Sequence, residues 1–280
     1  MNSPANAIAH THLAFIGGGN MARSLIGGLV AAGADPASIS VAEPVEALAE
    51  ALARDFGVQV SAEAATAAAG KQAWVLAVKP QVMREVCEAL APLAETWQPL
   101  VVSIAAGITA AQIERWLGGN AAVVRCMPNT PALLGAGVTG LYANARVDAG
   151  GRDIAQSLLA SAGRTVWIDD ESLMDAVTAV SGSGPAYVFL LAEAMQAAGE
   201  AEGLPADAAR TLTVQTLLGA ARMLDADDTP AAELRRRVTS PNGTTQAAIE
   251  RFEQDGFRDI VARAVHAARV RGAELAAASD

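Results

Sequence analysis

Short apolar runs alternate with stretches of helical spacing through the first half of the chain, and strand signals stop near residue 170. "HLAFIG" (12–17), "SISVAE" (38–43), "AWVLAV" (73–78), "PLVVSIA" (99–105) and "AAVVRCM" (121–127) are nearly continuous apolar segments. A strand of a parallel sheet covered on both faces has this character. Helix-like stretches near 20–32, 44–56, 81–91 and 109–117 separate them. Such βαβ alternation predicts a doubly wound, mostly parallel sheet. "GVTGLYAN" and "RTVWID" add strands near 137–144 and 164–168, with a helix between. Beyond them lie only helical segments, several opened by proline at a first-turn position, as in "PADAAR" and "TPAAEL". The expected division is an α/β domain over 1–168 and an all-α domain over 169–280, with no low-complexity linker between.

Composition narrows the function classes. Of 280 residues, 52% are apolar but only 4% aromatic, so alanine supplies much of the apolar content. Alanine buries little area per residue, and wide alanine-rich helical surfaces therefore find further burial against a partner subunit. A formal charge of −10 argues against a nucleic-acid or anionic-membrane partner, because phosphate binding needs a concentrated basic surface. Cys87 and Cys126 are too few for a disulfide framework. The N-terminal "MNSPANAIAHTHLAF" has no basic region followed by an apolar run, so no secretory signal is expected. Glu193 and Glu200 interrupt the most apolar helix, "AYVFLLAEAMQAAGEAEG", which makes it a poor membrane span. A reduced, cytoplasmic enzyme or binding protein is the expectation.

"FIGGGNMARSLIGGL" follows the first strand directly, and Gly17, Gly19 and Ala22 fit G-x-G-x-x-G/A. Gly17 permits the tight turn, Gly19 lets backbone approach a pyrophosphate, and Ala22 allows close helix–strand packing. The helix starting near Asn20 points its unpaired N–H groups at phosphate. The same turn without a ligand is the bland alternative. Glu43 closes the second strand, where an acidic group bonds adenosine ribose hydroxyls and repels a 2′-phosphate, favouring NADH over NADPH; a solvated strand-end glutamate is the other reading. "AVKPQ" places Lys79 and Pro80 at the end of another strand, and "SIAAG" (103–107) ends the next with small residues that suit ligand approach or plain packing.

The missing groups are as informative. His10, His12 and His266 are the only histidines, and none lies where a dehydrogenase wants a general acid or base. No HxxxH or CxxC pair suggests a metal, and no G-x-S-x-G elbow is present. Nicotinamide chemistry without a histidine dyad suits a substrate needing no strong base. A protonated imine is such a substrate, since it accepts hydride once positioned.

"SPNGTT" (240–245) interrupts two helical segments. Pro241 disfavours helical geometry at Ser240 and ends the preceding helix. Asn242 and Gly243 tolerate left-handed geometry, and Thr244 suits an N-cap. The product is either a cup of N–H groups and hydroxyls fit for a carboxylate, or an ordinary helix–loop–helix link.

"FIGGGNMA", "AVKPQ", "VVRCMPNTPALLGAGVTGL", "DAVTAVSGSGPAYVFLLAEA" and "RVTSPNGTTQAAIE" occur in this order between residues 12 and 276. Together they closely resemble the pyrroline-5-carboxylate reductase family, over nearly the whole chain. The resemblance implies an N-terminal Rossmann-type α/β domain followed by an all-α dimerisation domain. The implied reaction is reduction of L-1-pyrroline-5-carboxylate to L-proline with NADPH or NADH. Cofactor contacts are implied at Gly17, Gly19, Asn20, Met21, Val78, Lys79, Pro80, Ala105, Ala106, Gly107 and Asn129, beside the Glu43 read above. The implied substrate set is Ser240, Asn242, Gly243, Thr244 and Thr245, with Asp228 and Val238. Thr245 is the implied catalytic residue, bonding the ring nitrogen; a neutral threonine is a poor acid, so orientation is its expected role. A homodimer, in some members a decamer, is implied as well. Two departures stand out: Asn242 replaces a glycine of the family's loop, and Asp228 stands where the family has glutamate. The alternatives are a related imine or β-hydroxyacid reductase of the same plan, and a non-catalytic nucleotide sensor. The first commonly carries a lysine or acidic catalytic group on the first long helix of the second domain, and here that helix has no lysine.

Overall fold

A computed structural model describes Ile8 and residues 11–277; His10 and most of the N-terminal stretch read for a targeting signal lie outside them. The chain divides into two compact units, residues 1–183 with 268–280, and residues 184–267.

The first unit is built on an eight-stranded sheet of order β3-β2-β1-β4-β5-β6-β7-β8. Its strands are β1 (Leu13–Ile16), β2 (Ile39–Ala42), β3 (Gln59–Ser61), β4 (Ala73–Leu76), β5 (Leu100–Ser103), β6 (Ala122–Met127), β7 (Gly137–Ala143) and β8 (Gly163–Trp167). Strands β1 to β6 run parallel. β7 turns antiparallel to β6, and β8 runs parallel to β7. The order 3-2-1-4-5-6 is that of a dinucleotide-binding sheet, whose ligands lie outside the carboxyl ends of the strands.

Alternate strand residues feed two cores, one on each face. Leu13, Phe15, Val41, Val75, Val102 and Val124 pack with Leu25, Ile26 and Leu29 of helix α1 (Asn20–Ala31), Leu52 of α2 (Glu46–Phe56) and Leu158 of α6 (Ala149–Ala160). On the opposite face Ile16, Trp74, Leu76, Val101 and Val123 meet α3 (Ala64–Ala68), α4 (Pro80–Trp97) and α5 (Ala110–Trp116). Burial on both faces explains the unbroken apolar runs. Trp74 is fully buried and its indole N–H donates to the Ala68 carbonyl at 3.0 Å, which fixes α3 to the sheet. Truncating a side chain so placed costs about 3–5 kcal/mol.

Three elements differ from expectation, the first being α3 (Ala64–Ala68), a short helix in a stretch read as neither helix nor strand. β3 is a three-residue edge strand with partly exposed, mixed side chains, so it lacks the apolar run that marks its neighbours. Helix α4 continues six residues beyond the expected end at 91, through Pro92. An interior proline costs about 3 kcal/mol; burial of Leu90 and Ala94 against the sheet offsets it.

After β8 come a short helix α7 (Met174–Val177) and a π-helical turn over Thr178–Gly182. The second unit follows with α8 (Gly184–Ala201), α9 (Ala206–Ala226), α10 (Ala231–Arg237), α11 (Thr244–Gln254) and the first half of α12 (Phe257–Ala277). Apolar side chains of α8 and α9 remain open, among them Phe189 (67% exposed), Leu190 and Leu212. The end of α12 belongs to the first unit, where Leu275 and Ala276 lie against Gly107: a Cβ on that glycine would be 3.6–3.8 Å from them.

Candidate active site

The carboxyl ends of β1, β2, β4, β5 and β6 lie along one edge of the sheet and carry every expected cofactor residue. Gly17 leaves β1 with φ 103° and donates its N–H to the Ala42 carbonyl at 2.9 Å. A Cβ there would sit 2.7 Å from the Ala77 carbonyl oxygen, so both conformation and space demand glycine. Gly19 precedes α1 in extended conformation with no side-chain cap, and a Cβ on it would meet nothing within 4 Å. The space beside the first turn of α1 is thus open at Gly19, and an anion there would meet the uncapped N–H groups of a helix start. Ala22 is buried at 1% exposure, Met21 packs on the core, and Asn20 is exposed. These features fit a dinucleotide pyrophosphate.

Glu43 is 7% exposed, which excludes the solvated strand-end reading. Its Oε2 accepts the Gly18 N–H and its Oε1 accepts the Val45 N–H, both at 2.9 Å. The carboxylate clamps the glycine turn from below. Each oxygen keeps a further lone pair, so acceptance from ribose hydroxyls is compatible with the clamp.

Lys79 is exposed and precedes α4, in which Pro80 holds the first position; Val78 is half-buried beside Gly17. Ala105 is buried, Ala106 exposed, and Gly107 turns the chain with φ 75°. Asn129 spends both ends of its amide on the protein: Nδ2 donates to the Ser181 carbonyl at 3.1 Å, and Oδ1 accepts the Val138 N–H at 3.0 Å.

Sequence reasoning passed over Arg125, whose signal was a lone cation in an apolar strand. It is 5% exposed and donates to Glu171 Oε1 at 3.3 Å and Asp175 Oδ1 at 3.4 Å. Glu171 Oε1 also accepts the Ala110 N–H at 2.7 Å. This network ties β6 to the start of α5 and to the segment preceding the π turn.

The expected substrate residues are gathered in the helical unit. Ser240 to Gly243 form a turn closed by the Gly243 N–H donating to the Ser240 carbonyl at 3.1 Å. Asn242 takes φ 58°, the left-handed conformation its residue type tolerates. One expectation is corrected: Thr244 is not the N-cap of α11. Gly243, with φ −89° and ψ 172°, occupies that position, and Thr244 is already helical. Without a side chain on the cap, no hydroxyl closes the helix start; Gln246 instead reaches back to accept the Asn242 N–H at 2.7 Å. Thr244 and Thr245 are exposed in the first turn, and Val238 is 57% exposed where α10 ends. Asp228 is exposed, while its neighbour Asp227 accepts the Thr229 N–H at 2.8 Å. That bonding to Thr229 holds the Asp227 carboxyl below its usual range.

The arginines before the loop are already matched. Arg236 and Arg237 bond Glu233 and pull its carboxyl down to about 2, and Arg235 pairs with Glu253. An anion at this loop would therefore be met by backbone N–H groups and hydroxyls.

Comparison with known proteins agrees with both parts. A family model described as pyrroline-5-carboxylate reductase dimerisation matches residues 171–275, and one described as NADP oxidoreductase, coenzyme F420-dependent, matches 12–107. The chain is 54% identical over 264 residues to the pyrroline-5-carboxylate reductase of Pseudomonas aeruginosa, covering 94% of this chain and 96% of that one. A solved pyrroline-5-carboxylate reductase from Coxiella burnetii superposes with a TM-score of 0.92 at 41% identity, over 95% of this chain and 98% of that one. A Plasmodium falciparum pyrroline carboxylate reductase solved with NADP bound gives 0.84 at 27% identity, over 96% and 99%. A dinucleotide-type sheet, a helical unit with open apolar faces, and near full-length identity above half all point the same way: the chain belongs to the pyrroline-5-carboxylate reductase family.

Proposed function

We propose that this chain reduces L-1-pyrroline-5-carboxylate to L-proline with NADH or NADPH, the last step of proline biosynthesis. The observation that carries the reading is the pairing of an open, uncapped glycine turn on α1 with a second glycine-capped helix start at Ser240–Thr245. One suits a pyrophosphate and the other a carboxylate. The absence of lysine from α8 counts against a β-hydroxyacid reductase.

A bound nicotinamide cofactor would supply the hydride that the C=N carbon takes up. Gly17, Gly19, Asn20 and Met21 hold the pyrophosphate, Glu43 accepts from the ribose, and Val78 to Pro80, Ala105 to Gly107 and Asn129 border the nicotinamide half. Ser240, Asn242, Gly243 and Thr244 hold the substrate carboxylate at the start of α11, with Val238 and Asp228 at its margin. The Thr245 hydroxyl bonds the ring nitrogen and orients the imine. An imine protonated in solution needs only this positioning to accept hydride.

Residues 1–168 carry the cofactor contacts and 169–280 the substrate loop and the subunit contact, while residues 169–183 and the end of α12 pack with the cofactor sheet. The open faces of α8 and α9 support a homodimer, and assembly of dimers into a decamer extends the same proposal. No described helix is long and apolar enough to cross a membrane, and a cytoplasmic location accords with this reading. The test is loss of the reduced-nicotinamide absorbance band when protein, NADH or NADPH, and pyrroline-5-carboxylate are mixed. No imine-dependent loss with either cofactor sinks the assignment.

A further inference from the structure

Where β6 ends, three chain segments are locked by one amide. Asn129 donates to the Ser181 carbonyl, inside the Thr178–Gly182 turn, and accepts from Val138 at the start of β7. The turn is π-helical, its register shown by the Ser183 N–H donating to the Thr178 carbonyl at 2.8 Å. π-Turns have irregular carbonyl pairing and occur frequently at functional sites. Here the Ser181 carbonyl is taken by Asn129, while the Ser181 and Thr178 hydroxyls bond back to Val177 and Met174.

Packing around the turn leaves little slack. A Cβ on Gly140 would come within 2.6 Å of Val177 Cγ1, and one on Gly182 within 2.6 Å of Met127 Cε. Gly140 is the β7 partner of Met127, so the Val177 and Gly182 contacts lie next to each other where β6 ends. Arg125, two residues earlier on the same strand face, holds Glu171 and Asp175 at the other end of that segment. The turn is thus fixed at the carboxyl edge of β6. In this strand order that edge lies on the far side of β1 from Glu43, where the nicotinamide half of a dinucleotide extends.

We infer that Asn129 is a positioning residue rather than a cofactor ligand. It fixes the Thr178–Gly182 turn as the wall against which the nicotinamide and the imine are placed. The inference rests on the function proposed above. One N–H and one lone pair of its amide are spent on Ser181 and Val138, which fixes the amide plane, so its effect on the reaction runs through the Ser181 peptide it holds.

Asn129→Asp keeps the acceptor for Val138 and removes the donor to Ser181. The expected result is a dissociation constant for NADH within about threefold of wild type and a kcat lower by about tenfold or more, since small misplacement of reacting groups is costly. A second readout needs no imine: the emission of bound NADH, which reports the surroundings of the nicotinamide, should shift in the variant although affinity holds. Gly140→Ala, whose Cβ would lie 2.6 Å from Cγ1 of the stiff, β-branched Val177 at the head of the turn, should give the same signature and decides the matter if Asn129→Asp does not fold. Unchanged kcat and unchanged emission overturn the inference. So does a loss of NADH affinity equal to the loss of kcat, which would make Asn129 a direct cofactor contact. A wild-type protein inert toward pyrroline-5-carboxylate would refute the function instead, and the emission measurement would still judge the turn.

Discussion

Replacing Glu43 with alanine removes the clamp under the glycine turn and tests whether the buried carboxylate holds the cofactor loop in shape. Two N–H groups, of Gly18 and Val45, lose a charged acceptor at 2.9 Å. Hydrogen bonds to charged groups contribute about 1.5–3 kcal/mol each. Water can enter the space vacated beside exposed Gly19 and Asn20, so the lower bound, about 3 kcal/mol in total, is the expected loss. For a chain of this size that lowers the melting temperature by roughly 6–12 °C. A slackened turn no longer presents the α1 N–H groups to phosphate, so KM for NADH should rise about tenfold or more. Removing the carboxylate should also narrow the difference between NADH and NADPH, because its charge opposes a 2′-phosphate. Glu43→Gln keeps one acceptor oxygen and should fall between the two. The assays are thermal melting at fixed protein concentration and initial rates with each cofactor. A variant that melts within about 2 °C of wild type and keeps its KM for NADH would refute the clamp. A wild-type protein strongly preferring NADPH would refute the charge argument.

Thr245→Ala should lower kcat far more than cofactor affinity, measured by steady-state rates and NADH titration; near wild-type turnover would remove Thr245 from the site. Arg125→Met leaves the Glu171 and Asp175 carboxylates without their cation. Breaking a buried pair in this way costs about 3–5 kcal/mol, read as a melting temperature lower by roughly 10 °C; an unchanged melting temperature would show that the network is not structural. Burial pushes the Cys87 thiol up to about 12 and the Cys126 thiol further in the same direction. At pH 8 only about one Cys87 in ten thousand is thiolate, so neither cysteine should react with a disulfide reagent until the protein unfolds. Rapid labelling of the native protein would contradict that burial.

The parallel strands were legible because burial on both faces leaves an unbroken apolar signature, as in Ala73–Leu76. β3 lacked that signature because an edge strand needs only one good face, and α4 was cut short because Pro92 is a local signal that tertiary burial overrode. At the site, Gly17 was readable from chemistry alone, since its conformation and its contact with Ala77 both exclude a side chain. The Ser240–Thr245 loop was legible as a turn before a helix, but its ligand was not, because a linker and an anion cup share the same residues. There the family resemblance decided the expectation. Which residue caps α11 depended on one pair of backbone angles at Gly243, below what a residue type reveals. The Asn129–Ser181 bond spans 52 residues of sequence, and no local pattern encodes a contact of that range.

The return of α12 to the cofactor sheet sets an order on the protein's synthesis. All eight strands precede residue 183, so the sheet can pair while the helical segment is still being made. Leu275 and Ala276, which back Gly107 at the end of β5, emerge about 90 residues later. At translation rates of about 5–20 residues per second, that interval is roughly 5–20 seconds. Until it ends, the Gly107 turn waits on the ribosome without the helix that supports it. The cofactor edge of this enzyme is therefore begun by the first strand to be made and finished by the last of the described helices.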